Sequence, residues 1–321
     1  MKKTLVALAV LAASGAVMAQ SSVTLSGAIS VGILDSGAAT AKPTVSRLGG
    51  GANAINIVTV EDLGGGLKGG FDSQMRFNSA TGDRTSSGVG AALFHVANVY
   101  ISGGFGTVRM GKIVEASNCA FDPWGCTGGA GLSAGTTTGG LIAAGTIANA
   151  VSYNTPTLAG FSASYNTSVS TRANERTVMS LNYANGPLSA QFLQSNSSAN
   201  TAGDVVGGSP AITDADGQGT SIGASYNLGV ANVSVFNAKT KNAAGVVTND
   251  INGLGLTVPM GSITLLGGYT KDKKAAATAD TRVALGMNYA LSKRTTLGAD
   301  VFKQDMVGGS NGFVIRARHT F

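Results

Sequence analysis

The sequence is poor in charge, in aromatic rings and in long apolar runs. Charged residues make up 12% of its 321 residues, against about 25% in an ordinary soluble domain. A soluble surface of this size would be short of charge. The only long apolar run, Leu5 to Ala19, falls below the ~20 residues that a helix needs to cross a bilayer, although mean hydropathy is +0.20. Two histidines and two cysteines without ligand spacing argue against a zinc site. No Lys/Arg run is interleaved with aromatics, so nucleic acid is not an expected partner. What the chain has instead is 47 glycines, too many for a helical bundle. A membrane-like average without a spanning helix leaves a closed barrel, whose strands show lipid one side chain in two.

Residues 1–19 carry Lys2 and Lys3, an apolar stretch and the small-x-small sequence Val17-Met18-Ala19, the pattern of a secretory signal peptide cut after Ala19. Residues 20–321 then form the expected barrel. Cleavage takes the basic count from 22 to 20 against 16 acidic residues, a net +4 rather than +6. In an exported chain Cys119 and Cys126, seven positions apart, close a small disulfide loop or remain two free thiols; the loop is the simpler expectation.

Strict alternation begins at Val23, Leu25, Gly27, Ile29, Val31 and Ile33, with Thr24, Ser26, Ala28, Ser30 and Gly32 on the other face. After Lys68 the polar face holds Asp72, Gln74 and Arg76, groups too costly for a dry core and suited to water. Sixteen segments of this kind are expected, at 22–34, 53–61, 68–78, 94–102, 105–113, 147–154, 160–167, 176–183, 188–195, 219–227, 230–239, 251–258, 262–271, 281–289, 295–304 and 312–321. Short connections such as ANGP and PMG alternate with long Gly-, Ser- and Asn-rich ones, the asymmetry of short periplasmic turns and long outer loops. Tyr153, Tyr183, Tyr226 and Tyr289 stand before short turns, and Tyr165 and Tyr269 near long loops, all on apolar faces, as aromatic girdles would. The chain ends FVIRARHTF; a final strand closing on Phe321 looks like the signal by which the barrel-assembly machinery recognises its clients.

EDLGGGLKGGF from Glu61, SGGFGTVRMGK from Ser102, AFDPWG from Ala120, VSYNTPTLAGFSASYN from Val151 and the terminal RARHTF occur in family order. Together they resemble the general porins of Gram-negative bacteria, in particular the beta-proteobacterial trimeric branch. The resemblance implies an all-β, sixteen-stranded antiparallel transmembrane β-barrel, a homotrimer, a third loop folded into the lumen, and passive diffusion of small hydrophilic solutes without a cofactor. It implies an outer-membrane location, with lipid and lipopolysaccharide around the barrel. The third loop would run from Val114 to about Thr146, and a Cys119–Cys126 bridge would stiffen it.

Selectivity in a water-filled pore comes from charged side chains at its narrow part. By parity Arg109 faces inward at mid-strand, and Arg316 and Arg318 oppose Ile315 and Ala317. Arg76 sits higher; Lys112 leads into the third loop, with the parity of Met110. Glu115 and Asp122 are the acidic loop residues that would face this cationic wall, and Asp72 and Asp300 are possible partners for the arginines. In the resembled family an arginine is common where this chain has His95, and SRLG around Arg47 usually runs almost directly into EDLG. The expected function is an outer-membrane channel with weak anion preference. A substrate-specific channel and a plugged structural or adhesive barrel are the alternatives. A barrel enzyme would need a convergent acid, base and nucleophile, which His95 and His319 do not form in sequence.

Overall fold

A computed structural model describes residues 21–37, 42–48, 53–83, 93–126, 132, 145–169, 176–197, 217–242, 244–274, 279–306 and 310–321. The expected signal peptide, residues 1–19, lies outside them. The strands are β1 (Ser22–Asp35), β2 (Thr44–Arg47), β3 (Ala54–Gly64), β4 (Leu67–Arg76), β5 (Val96–Gly103) and β6 (Gly106–Val114). They continue with β7 (Thr146–Asn154), β8 (Phe161–Ser168), β9 (Arg176–Asn185), β10 (Leu188–Ser197), β11 (Gly217–Asn227) and β12 (Asn232–Lys241). The last are β13 (Val247–Met260), β14 (Ile263–Asp272), β15 (Ala279–Ala290), β16 (Thr295–Met306) and β17 (Ser310–Thr320). From β3 onward each pairs antiparallel with the next, and β17 returns to β1 from Ala28↔Thr320 to Asp35↔Phe313. The sheet is closed, so no edge is left for lipid to meet.

Seventeen strands make sixteen staves because β2 and β3 share one. Their partner β1 faces β3 from Ser22 to Ala28 and β2 from Val31 to Leu34. Ser30 falls in the gap, where ladder hydrogen bonds are missing. Its N–H donates to the side-chain oxygen of buried Asn53, and its carbonyl accepts from Ser79 Oγ at 2.8 Å. Asn53 Nδ2 in turn donates to Ser79 Oγ at 3.0 Å. Side chains thus satisfy backbone groups that would otherwise be stranded. β2 was not expected from the sequence: four residues between Gly- and Pro-containing stretches are too few for alternation to show.

The alternation decides which side chain meets which medium. Val23 is 71% exposed and Leu25 62% on the outer face, while Ser30, Ser152, Ser180, Ser221 and Ser234 are buried on the inner one. Tyr153, Tyr165, Tyr226, Tyr269 and Tyr289 all stand on the exposed outer face. The chain end seals the seam: Gly27 and Phe321 exchange both backbone hydrogen bonds, at 2.9 and 3.0 Å. A Cβ on Gly27 would lie 2.5 Å from the Phe321 ring and 2.4 Å from the Ala54 carbonyl, so only glycine lets the terminal ring lie flat on the seam.

The loop asymmetry is weaker than the sequence suggests. Only residues 242–246 separate β12 from β13 and only 307–309 separate β16 from β17, no more than lie between strands at the periplasmic turns, whereas the intervals 77–95, 115–145 and 198–216 are long. Both apolar clusters of buried residues lie inside the barrel. One joins Phe121, Trp124 and Leu132 of the third loop to Leu48, Phe236, Ile251, Leu266, Ala284, Phe302 and Val314. The other joins Ile113 and Ala116 to Ile147, Ala150, Val178 and Leu193.

Candidate pore lumen

The connection from β6 to β7 leaves the sheet at Val114, and its described part crosses to the opposite strands. Asn118 Nδ2 donates to Ser221 Oγ on β11 at 2.9 Å. Ser234 Oγ on β12 donates to the Phe121 carbonyl at 2.7 Å. Trp124 Nε1 donates to Asp300 Oδ1 on β16 at 3.0 Å. The receiving wall makes room for the loop at three inward glycines. A Cβ at Gly223 would sit 2.4 Å from the Phe121 ring, at Gly255 2.8 Å from Pro123, and at Gly268 2.4 Å from Leu132. Much of the glycine excess on these strands therefore makes room for the loop.

Within the loop Cys119 and Cys126 are joined by a disulfide with Cα atoms 5.2 Å apart, around a 3₁₀ turn over Cys119–Phe121. Asp122 organises the turn from the middle. Its buried carboxylate accepts from the N–H groups of Trp124 at 3.0 Å, Cys126 at 3.1 Å and Leu132 at 3.4 Å. Burial pushes its pKa up; the three N–H donors, and the positive charge of Arg282, pull it back without reversing the direction. At the loop's start, buried Glu115 takes a bidentate ion pair from Arg176 at 2.6 Å on each oxygen, and accepts from Gly145 N–H at 3.0 Å. Both acidic residues are therefore occupied in holding the loop, and neither is a free charge facing a cationic wall.

The predicted cations fall into three groups. Arg109 and Asp72 line a cavity of about 490 Å³ on the side of β4 to β10, with Asn98, Ser152, Asn166 and Gln191. Arg109 lies 5.7 Å from the Tyr100 ring centre, and neither it nor Asp72 has an ion-pair partner among the described residues. Arg316 and Arg318 line a second cavity of about 470 Å³ with Ser30, Trp124, Asn288 and Thr296. Here Arg316 is committed: it pairs with buried Asp300 and donates to Asn288 Oδ1 at 2.6 Å. Arg318 stands between Ser30 and Thr296 in the ladder and has no acidic partner among the described residues.

The third group is Arg76, His95 and Lys112. Arg76 Nε donates to Gln74 Oε1 at 2.6 Å, and Gln74 also accepts from His95 N–H at 2.7 Å. Lys112 stands opposite Ala97 in the β5–β6 register, on the side of Met110 and Val99. The register thus carries the parity of Met110 on to Lys112. The nearby irregularity belongs to β7, where Asn149 adopts φ 50° and β7 carries the extra residue, so β6 keeps its parity through Lys112. His95 is buried, and burial, followed by the charges of Arg76 and Lys112, lowers its pKa from 6.5 to about 3. His95 thus stays neutral in the folded barrel. The sign follows: the stability that goes with its neutral form is complete above 6.5 and is lost as pH falls toward about 3. Ion selectivity is expected to stay flat between about pH 8 and about pH 5; a zero-current potential that moves with a midpoint near 6 would show His95 titrating as a free imidazole.

Sequence reasoning missed Arg176 and Arg282. Arg282 is 2% exposed, donates to Gln304 Oε1 at 2.6 Å and lies 4.4 Å above the Phe302 ring. Its parity with Ala284, opposite Val283 and Leu285, would have placed it inward. Arg176 opens a strand after a polar stretch, and nothing local points it at Glu115.

Residues 4–306 match the Gram-negative porin family. The chain is 33% identical over 328 residues to outer membrane porin protein 32 of Delftia acidovorans, covering 92% of this chain and 88% of that protein. Among solved structures it is similar to an anion-selective porin from Comamonas acidovorans, with TM-score 0.70, 26% identity, and 94% and 100% of the two chains covered. The trimer form of OmpT, an outer-membrane protein of Vibrio cholerae, shares the fold at TM-score 0.64 and 16% identity, covering 94% and 99%. Closed barrel, polar lumen and loop-bearing wall thus coincide with a family match over nearly the whole chain, and the protein belongs to the Gram-negative porins, the channel-forming β-barrels of the outer membrane.

Proposed function

We propose that this porin passes small hydrophilic solutes and ions by passive diffusion with a weak anion preference, and that it works as a homotrimer whose third loop narrows each lumen. The observation that carries the preference is the pairing pattern. Glu115 is paired to Arg176 and Asp300 to Arg316, and Asp122 is spent on backbone N–H groups. Arg109 and Arg318 remain in the two cavities without ion pairs, opposed only by Asp72. Within these two cavities the groups without ion pairs sum to one positive charge, and such an excess in a wet, partly screened passage tilts the ion ratio without excluding cations. The anion-selective relative from Comamonas acidovorans and the trimeric OmpT support the reading by analogy. So does the loop's seat on the inward glycines.

Zero-current potentials across a salt gradient test it. At ~7 Å in water one charge is worth a factor of roughly two to three in local ion concentration. Anions gain what cations lose, so Arg318→Ser is expected to lower the anion-to-cation permeability ratio by up to about the square of that factor at low salt, and by less in concentrated salt. Unchanged selectivity in both Arg318→Ser and Arg109→Ser would remove these residues from the selective path.

A further inference from the structure

The cavity on the side of β4 to β10 lies between those strands and the root of the third loop, Val114 to Ala116. Its β7 to β10 side is neutral and bonded within itself. Ser152 Oγ donates to Asn166 Oδ1 at 2.7 Å and Gln191 Nε2 to Asn182 Oδ1 at 2.8 Å, and the hydroxyls of Ser164 and Ser180 share a hydrogen bond of 2.8 Å. Charge enters the lining at Glu115, Arg109 and Asp72. Glu115 is closed off by its pair with Arg176. Arg109 and Asp72 are half-buried, open to the same cavity, and form no ion pair among the described residues, with each other included.

Opposite charges in one cavity close on each other unless something holds them apart. Asp72 stands opposite Asn98 in the β4–β5 register, and Arg109 stands opposite Tyr100 in the β5–β6 register. Two strand spacings and two residues of rise therefore separate them, ~12 Å from Cα to Cα. Tyr100 keeps the guanidinium on its own side. Its hydroxyl donates to the Thr59 carbonyl at 2.9 Å, and the Arg109 guanidinium carbon lies 5.7 Å from the ring centre, within the range of a cation–π contact. The ring has room to lie there because Gly70 is beneath it, where a Cβ would be 2.8 Å from Tyr100 Cζ.

We infer that Arg109 and Asp72 form a subsite for zwitterionic α-amino acids in the lumen, with Arg109 taking the carboxylate and Asp72 the ammonium. The inference rests on the diffusion reading given above and names a solute class for that same lumen. A solute with both charges on one carbon supplies both missing partners at once. Two hydrogen bonds of about 2.9 Å with such a solute between them suit the separation once both side chains reach inward. A simple anion meets Asp72 as well as Arg109, and a simple cation the reverse, so neither gains as much. The hydroxyls and amides of the remaining wall favour a short polar side chain, as in serine, over a large apolar one. Arg318, in the second cavity, is left to bias the passage of anions.

The experiment reconstitutes the folded barrel in phosphatidylcholine vesicles and reads swelling rates for L-serine and for erythritol, an uncharged polyol of similar size. The parent is expected to admit L-serine about two- to fivefold faster than erythritol, the weight that ion pairs carry in a wet setting. Arg109→Gln and Asp72→Asn should each bring the ratio of the two solutes close to one. Using the ratio cancels any widening of the pore, which would speed both solutes alike. Asp72→Asn should also raise the anion-to-cation permeability ratio, a shift that a merely structural role would not produce. Arg318→Ser, in the other cavity, should lower the ion ratio and keep the serine-to-erythritol ratio of the parent. Equal entry of L-serine and erythritol through the parent, or the parent's solute ratio retained in Asp72→Asn, would overturn the subsite. The diffusion reading fails separately, as vesicles carrying the parent that erythritol does not enter.

Discussion

Arg316→Ala is expected to destabilise the barrel by about 3–5 kcal/mol, the cost of leaving a buried charge without its partner. Asp300 has no side-chain exposure, and Arg316 only 12%. Without the guanidinium, the carboxylate keeps one neutral donor, the Trp124 indole at 3.0 Å. Across the strand lies Gly286, which brings no compensating group, and a Cβ there would fall 2.3 Å from the same carboxylate oxygen. The loss is expected as a lower thermal transition of the folded barrel in detergent. A buried carboxylate stripped of its partner is driven toward its protonated form and then accepts more weakly from the Trp124 indole, so single-channel current should also become noisier. Arg316→Ala/Asp300→Asn should recover much of the stability, since the double change removes the stranded charge. A transition as low in the double variant as in the single one would mean that the pair contributes packing alone.

Gly268→Val is expected to act on the loop more than on the barrel. The added Cβ would lie 2.4 Å from Leu132 Cδ2 and 2.9 Å from the Trp124 ring, in a cluster where both side chains are buried. Overpacking of this kind costs about 1–3 kcal/mol. Less is lost by lifting the loop tip than by bending a stave that is hydrogen-bonded on both sides. The apolar contacts of Phe121, Trp124 and Leu132 would then open to water together. Single-channel conductance should rise and its noise increase, with the heat stability of the barrel nearly unchanged. Conductance equal to the parent's, with the barrel folded, would show that the loop tip is not part of the resistance. Gly267→Val makes the control, since its Cβ would meet nothing closer than 3.7 Å and faces outward.

The strands were legible because a period of two is a local property. Sixteen predicted segments coincide with sixteen staves within a few residues, for example 262–271 against Ile263–Asp272. β2 escaped for the same reason, since TVSR is too short to carry a period. Inward direction was legible for Arg109, Arg316 and Arg318 from the apolar residues that alternate with them. Lys112 kept its parity, and the register shows that parity to be the outward one.

Partners were not legible. Asp122 looks in sequence like a free acid in a polar loop, and its use as a cap for three backbone N–H groups depends on a turn closed by Cys119 and Cys126. Glu115 and Arg176 are 61 residues apart and meet because β9 stands across from the root of the loop. The glycines of the inner wall carry no periodic signal of their own, and their role follows from the loop that lies on them. The sequence by itself determined the barrel, its number of staves and the face each residue takes, because alternation and turn chemistry act between neighbours. Only the tertiary structure decided which charges cancel and which remain in the pore, because a charge is neutralised by whatever the closed sheet and its loop bring within a few ångströms, however far apart in the chain.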